Sequence, residues 1–257
     1  MRSENGLSYS FDRVADKFDE TRFYPDTVMG DILNALEKVL VKGSRTLDAG
    51  VGTGRFAEPL QKRGYDVVGV DISPRMLDNA RGKGTENLFR GDLCALPFRD
   101  AVFSVAISIH VLHLISSWRC ALGEIGRVTT DRFLSVAFNK EESPAEAFRL
   151  LYERVCEENG FEIHHPGMRE RELPDLLPAD RVSLIDMHEH TMEVPKLLDG
   201  YENRIFSSQW TVPDEIHEIA MEAMHEKYDG VDQVFSIERI SLLEWSMDRV
   251  RSYAAGR

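Results

Sequence analysis

Apolar and polar positions along this chain fall into two periods, and the changes from one to the other mark out its elements. Phe11, Val14, Ala15 and Phe18 stand at i, i+3, i+4 and i+7, the spacing of one helix face. Val28, Ile32, Ala35, Leu36 and Val39 share one face of a second helix, from about Thr27 to Val41, which Lys42-Gly43 ends. Short, mostly apolar runs near 44–49, 66–71, 86–90, 102–108 and 133–138 read as strands. Helical stretches lie among them: Ala57 to Arg63, a segment opened by Ser73-Pro74 and carrying Met76, Leu77 and Ala80, and Trp118 to Val128. Strands alternating with helices predict a parallel sheet with helices on its faces.

The second half is less regular. Ala145 to Asn159 carries Phe148, Leu151, Tyr152 and Val155 on one face, with Gly160 as its stop, and Arg169 to Leu177 reads as a shorter helix. Strands are expected near 182–192 and 234–247, with helices at Pro195 to Arg204 and Pro213 to Tyr228 between them. Tyr201, Phe206, Trp210 and Tyr228 on or beside these helices fit a core or the wall of a pocket.

Composition narrows the function classes. The 257 residues carry 31 Lys and Arg against 44 Asp and Glu, a formal net charge of −13. Such a surface repels phosphate backbones, which argues against a nucleic-acid partner. Cys94, Cys120 and Cys156 are far apart in sequence and contain no C-x-x-C pair, so neither a disulfide framework nor a zinc site is expected. His164-His165 and His188 with His190 lack a third spaced ligand, and no metal is expected. The N-terminus has no apolar signal core, and the apolar run from Ala101 to Ile115 is broken by Ser104, Ser108, His110 and His113. A cytoplasmic protein without a membrane span is the expectation.

The candidate chemistry begins at Asp48-x-Gly50-x-Gly52-x-Gly54, on a strand-to-helix turn. Glycine lets the backbone turn sharply and lets a ligand approach it, and the carboxyl end of such a strand is where open α/β sheets bind ligands. A dinucleotide fingerprint would need glycine at position 55, which is Arg55. Asp71 closes the second strand, 21 residues beyond Gly50, where a carboxylate can accept both hydroxyl hydrogens of a ribose, and Ile72 follows it. The third strand ends in Gly91-Asp92-Leu93, with Pro97-Phe98 after it, and the fourth in Ser108-Ile109-His110-Val111-Leu112-His113.

Taken in order over residues 45–138, these motifs resemble those of the class I S-adenosylmethionine (SAM)-dependent methyltransferases, of the kind that includes quinone-biosynthesis enzymes. The resemblance implies a Rossmann-like three-layer α/β sandwich with a seven-stranded, mostly parallel sheet and an antiparallel last strand beside the sixth. It implies one domain over 1–257. A helical N-terminal lid would cover 1–43, a SAM-binding half 44–140, and a substrate-side half 141–257, with a helical insertion about 193–230. Arg22, Asp48, Gly50, Gly52, Gly54, Asp71, Ile72, Met76, Asp92, Leu93 and Ser108 would then contact SAM, Asp92 through the adenine amino group. Phe11-Asp12, Ala15, Phe18-Asp19 and Arg22 are similar to the family's N-terminal segment, which often closes over the cofactor, although a tyrosine usually stands where Phe18 is. Val128-Thr129-Thr130-Asp131-Arg132 departs from the Pro-Gly-Gly turn usual there. The implied reaction is in-line displacement of the SAM methyl by a small-molecule nucleophile, with a homodimer as a possible assembly. His113, or else His110, is the candidate base, although positioning alone can drive such a transfer. An NAD-dependent oxidoreductase and a non-catalytic SAM-binding protein are the alternatives. A nucleic-acid methyltransferase is disfavoured by the charge and by Ser108-Ile109-His110-Val111, where base-amino enzymes often carry Asn/Asp-Pro-Pro-Tyr.

Overall fold

A computed structural model of the chain describes residues 11–13, 15, 18–21, 24–140 and 144–256. In chain order the elements begin with a 3₁₀ turn at Phe11–Arg13, then α1 (Phe18–Thr21), α2 (Asp26–Glu37), β1 (Arg45–Ala49), α3 (Ala57–Lys62), β2 (Asp66–Asp71), α4 (Pro74–Gly82) and β3 (Leu88–Arg90). Next come β4 (Phe103–Ile107), a 3₁₀ turn at Leu112–Leu114, α5 (Trp118–Val128), β5 (Thr129–Lys140), α6 (Pro144–Glu158) and α7 (Leu173–Leu176). The last are β6 (Arg181–Glu193), α8 (Val194–Glu202), α9 (Asp214–Lys227), β7 (Gln233–Ser246) and α10 (Met247–Ala254).

The strands form one seven-stranded sheet in the order β3-β2-β1-β4-β5-β7-β6. β1 is central and pairs in parallel with β2 and β4, which pair in parallel with β3 and β5. The last strands run antiparallel, as expected for a Rossmann-like sheet flanked by helices. The order reverses at β1 and β4: from β1 the chain steps outward through β2 to β3, then crosses back to β4 on the other side. A crevice opens at such a switch point, at the carboxyl ends of the strands.

Contacts divide the chain into two compact units: Met1–Ala137 with Pro166–Ile185 and Ser241–Arg257, and Phe138–His165 with Asp186–Ile240. In the first, Leu47, Ala49, Val68, Val70, Phe103, Ala106, Leu122, Ile125 and Phe133 are buried around the inner strands. Trp245 is fully buried, stacks on Phe133 with centroids 5.3 Å apart, and donates its indole N–H to the Leu177 carbonyl at 2.8 Å. The second has its own core of Phe148, Tyr152, Cys156, Tyr201, Val212, Met221 and Met224, in which Tyr152 and His217 share a buried 2.7 Å hydrogen bond. Three of the four helix-borne aromatics noted above lie in or against this core: Tyr201, Phe206 and Tyr228.

Three sequence expectations change. Residues 128–132 are no turn: α5 runs straight into β5 at Thr129. The register steps from Phe103↔Thr129 to Val105↔Arg132, so β5 holds one extra residue there, a bulge that absorbs Thr130-Asp131. The helix expected over 169–177 narrows to Leu173–Leu176, because the chain before it is held by the loop after β4. The helix expected at 11–18 is a 3₁₀ turn and the short α1, with residues 14, 16 and 17 outside the described residues. Among the described residues no helix is long and apolar enough to cross a membrane, and no group of three or more His, Cys, Asp or Glu could hold a metal.

Candidate active site

After Ala49 the chain folds back on itself. Gly50 and Val51 both donate to the Val70 carbonyl, at 2.8 and 2.9 Å, which fastens the turn to the end of β2. Gly50, Gly52 and Gly54 have φ of +86°, +54° and +76°, a region costly for residues with a Cβ. Their surroundings differ. A Cβ on Gly50 would lie 2.3 Å from Val111 Cγ2, and one on Gly54 would lie 2.3 Å from Thr85 Oγ1. A Cβ on Gly52 would meet nothing within 4 Å. The turn is therefore packed at its ends and open in the middle, where a ligand can lie against the main chain.

Two acids flank that opening. Asp71 accepts from Gly52 N–H through Oδ2 and from Ser73 N–H through Oδ1, both at 2.9 Å. Burial pushes its pKa up, the amides of Ser73, Gly52 and Ile72 pull it down, and Asp12 pushes it up again, leaving it raised overall. Asp48 is only 4% exposed, and its pKa is pushed up to about 7 by burial and then by the charge of Asp71. Asp71, held by amides, ionises first, so the repulsion falls on Asp48. Beside Asp48 in the sheet is Ile107, and the next residue, Ser108, buries a hydroxyl that has no hydrogen-bond partner among the described residues. The floor of the crevice thus holds two carboxylates, both with raised pKa, and an unsatisfied hydroxyl.

The other expected site residues lie along the same edge. Ile72 is 40% exposed just beyond β2, Ser73 caps α4 by accepting from Met76 N–H at 3.1 Å, and the Met76 side chain is buried. After β3, Asp92 Oδ1 accepts from Cys94 N–H at 2.8 Å, and Leu93 is buried. The N-terminal segment is tied to these turns. Asp12 accepts from Ser73 Oγ at 2.6 Å, Asp19 accepts from Thr53 Oγ1 at 2.6 Å, and Asn79 donates to the Ala15 carbonyl at 2.8 Å. The Arg55 guanidinium sits 5.3 Å from the Phe18 ring and 5.5 Å from the Tyr24 ring. Arg22 lies outside the described residues.

The loop after β4 covers the glycine turn through Val111. His110 has φ +60°, unusual for a residue with a side chain, and its Nε2 is 3.2 Å from Tyr24 Oη. Sequence reasoning missed the residue that fixes this loop, Glu170. Its carboxylate is 4% exposed and accepts from Val111 and Leu112 N–H at 2.5 and 3.0 Å, while His113 Nδ1 is 3.6 Å from its other oxygen. Burial alone would raise the Glu170 pKa; the imidazoles of His113 and His110 and the Val111 amide outweigh it and bring the pKa down to about 2. Gly167 and Met168 complete the clamp by donating to the His113 and Leu112 carbonyls at 3.0 and 3.2 Å.

Comparison with known proteins names this arrangement. Residues 47–132 match a family described as "Methyltransferase domain". This part of the chain is thus similar to a methyltransferase domain. The cofactor that goes with such a domain is S-adenosylmethionine. Over 88 residues the chain is 38% identical to malonyl-[acyl-carrier protein] O-methyltransferase of Serratia marcescens, covering 34% of each chain. Over 125 residues it is 37% identical to demethylmenaquinone methyltransferase of Thermus thermophilus, covering 46% of this chain and 56% of the relative. The chain thus spans about a third to just over half of these relatives. The YcgJ protein of Bacillus subtilis shares the fold, with a TM-score of 0.56 at 19% identity over 86% of this chain and 98% of that one. A SAM-dependent methyltransferase of Thermotoga maritima superposes with a TM-score of 0.52 at 19% identity, covering 92% of this chain and 98% of that one. The matched residues 47–132 carry the glycine turn, both acids and the loop after β4.

Proposed function

We propose that this chain is a SAM-dependent methyltransferase acting on a small-molecule nucleophile. The observation that carries the reading is the pair of acids beside the open face of Gly52, Asp48 buried and Asp71 half-buried. Burying carboxylates without a counter-charge is unfavourable, so the site fits a cationic ligand. The SAM sulfonium and ammonium groups meet that need. An anionic pyrophosphate beside Asp48 would be repelled, which disfavours NAD here.

In this reading Asp71 binds the ribose hydroxyls, and Ile72 packs on the adenine beside the Asp92-Leu93 turn. Gly52 presents open main chain, and Asp48 and Ser108 face the charged end. When bound, SAM supplies an electrophilic methyl on sulfur. The chain's own work is to hold an acceptor in line with that methyl and to keep water out, and positioning of this kind is worth about 7–11 kcal/mol. Phe18, Tyr24 and Arg55 close the crevice from the N-terminal side as a lid. Glu170 beside His113 Nδ1 favours the tautomer protonated there, which leaves Nε2 to take a proton from an acceptor that arrives protonated.

Calorimetry with SAM and with NAD tests the cofactor: binding of SAM and not NAD is expected, and NAD binding alone would overturn the reading. Methyl transfer from labelled SAM to a panel of hydroxyl, carboxyl, amine and quinol acceptors separates an enzyme from a binding protein. Because relatives are named for malonyl-[acyl-carrier protein] and for demethylmenaquinone, carboxylic acids and quinols come first on that panel.

A further inference from the structure

Two thiols meet behind the turn that follows β3. Cys94 follows Asp92-Leu93 directly, and Cys120 lies in the first turn of α5. Cys94 Sγ donates to the Ser117 carbonyl at 3.5 Å, and Cys120 Sγ donates to the Cys94 carbonyl at 3.6 Å. Cys120 is exposed and Cys94 is half-buried. The sequence kept them apart: 26 residues separate them, and no C-x-x-C spacing announces the pair.

We propose that Cys94 and Cys120 form a dithiol that hydroperoxides oxidise to a disulfide, and that the disulfide weakens cofactor binding. The second half of this statement rests on the proposed SAM site. Cys120, the exposed partner, meets the oxidant first: its sulfur takes one oxygen from hydrogen peroxide to become a sulfenic acid, and water leaves. Cys94 sulfur then attacks the sulfenic sulfur, its proton goes to the departing hydroxide, and a second water leaves. Overall, two thiols and one peroxide give one disulfide and two waters. The Cys94 thiol is pushed up to about 12 by burial and by Cys120 beside it, so it is slow toward peroxide, and its contact with Cys120 is what sets it to resolve the sulfenic acid. Joining the sulfurs at about 2.0 Å draws Cys94 toward α5. The Asp92-Leu93 turn moves with it, because Asp92 is bonded to the Cys94 amide.

The test treats the full chain with hydrogen peroxide, alkylates it in denaturant and measures intact mass. The wild type should lose two hydrogens and keep one alkylatable cysteine of its three, reversibly with dithiothreitol. C120S and C94S should form no intramolecular disulfide, and C94S should stop at a peroxide-dependent sulfenic acid on Cys120. Three alkylatable cysteines after oxidation of the wild type would overturn the proposal. SAM calorimetry on reduced and oxidised protein reads the coupling. Oxidation should weaken binding about tenfold, the worth of one hydrogen bond. Equal affinity in the two forms would remove the coupling, whereas failure of the reduced protein to bind SAM would sink the cofactor reading and leave the disulfide result to stand by itself.

Discussion

Asp48→Asn should make the ligand-free protein more stable while weakening its hold on SAM. The carboxyl pKa moves from 3.8 to about 7 on folding, a shift of about 3 units and so about 4 kcal/mol. The sign follows from where the proton sits. Between about pH 4 and 7 the folded protein keeps a proton on Asp48 that the unfolded chain has lost, so stability falls as pH rises through that window. Asparagine has nearly the same shape and never ionises. It brings a buried amide that costs about 1–3 kcal/mol where it finds no partner. The variant should therefore be equal to or less stable than wild type near pH 4, and more stable by about 1–3 kcal/mol at pH 8. Urea unfolding of both proteins across pH 4 to 8 measures this, and other titrating groups largely cancel in the difference. SAM calorimetry should show the reverse order of merit, with wild type binding more tightly and releasing a proton near pH 7. A stability difference that stays flat with pH would refute a raised Asp48 pKa and the charge argument built on it.

The two neighbouring glycines should part company. Gly50→Ala drives a methyl into Val111 and should cost several kcal/mol by thermal melt, whereas Gly52→Ala should cost about 1–2 kcal/mol for its backbone alone and yet abolish measurable SAM binding. Asp71→Ala should lower SAM affinity at least tenfold, since hydrogen bonds to a charged group are worth about 1.5–3 kcal/mol each; unchanged calorimetry would reduce Asp71 to a brace for Gly52 and Ser73. Glu170 has a depressed pKa, so its stabilisation is full above about pH 4.5 and is lost as pH falls toward 2. Glu170→Gln should remove about 3 kcal/mol of that acid dependence, and an unaltered acid-unfolding midpoint would contradict the clamp. Once an acceptor is known, His113→Ala should lower kcat with SAM affinity within a few-fold; an unchanged kcat would leave catalysis to positioning.

What was legible in the sequence is what the main chain encodes locally. Alternating strands and helices, the glycine turn and an acid ending β2 each declare themselves within a few residues, and they place Asp48, Gly52 and Asp71 together without any knowledge of packing. Glu170 was not legible. It stands in Arg169-Glu170-Arg171-Glu172, at the start of a stretch that reads as a short helix, and only the long-range return of this segment onto the loop after β4 buries it. The start of β5 was hidden for a related reason. Thr129-Thr130-Asp131-Arg132 is polar enough to read as a turn, but pairing with β4 through a bulge makes it strand. The Cys94–Cys120 contact, too, depends on packing between a turn and a helix that no short window contains.

The clamp on the loop after β4 also sets a timetable. Val111 and Glu170 are 59 residues apart, so the loop that covers the glycine turn takes its final shape only after the chain has travelled through the whole of the 138–165 segment and come back. Strands β1 to β5 can assemble from contacts within the first 140 residues, whereas the loop after β4 waits for a contact of long loop closure. A nascent chain emerging from the ribosome would therefore fasten its glycine turn to β2 before Glu170 fixes the loop that carries His113. Under the proposed function, the cofactor turn would form before the loop that holds the candidate base.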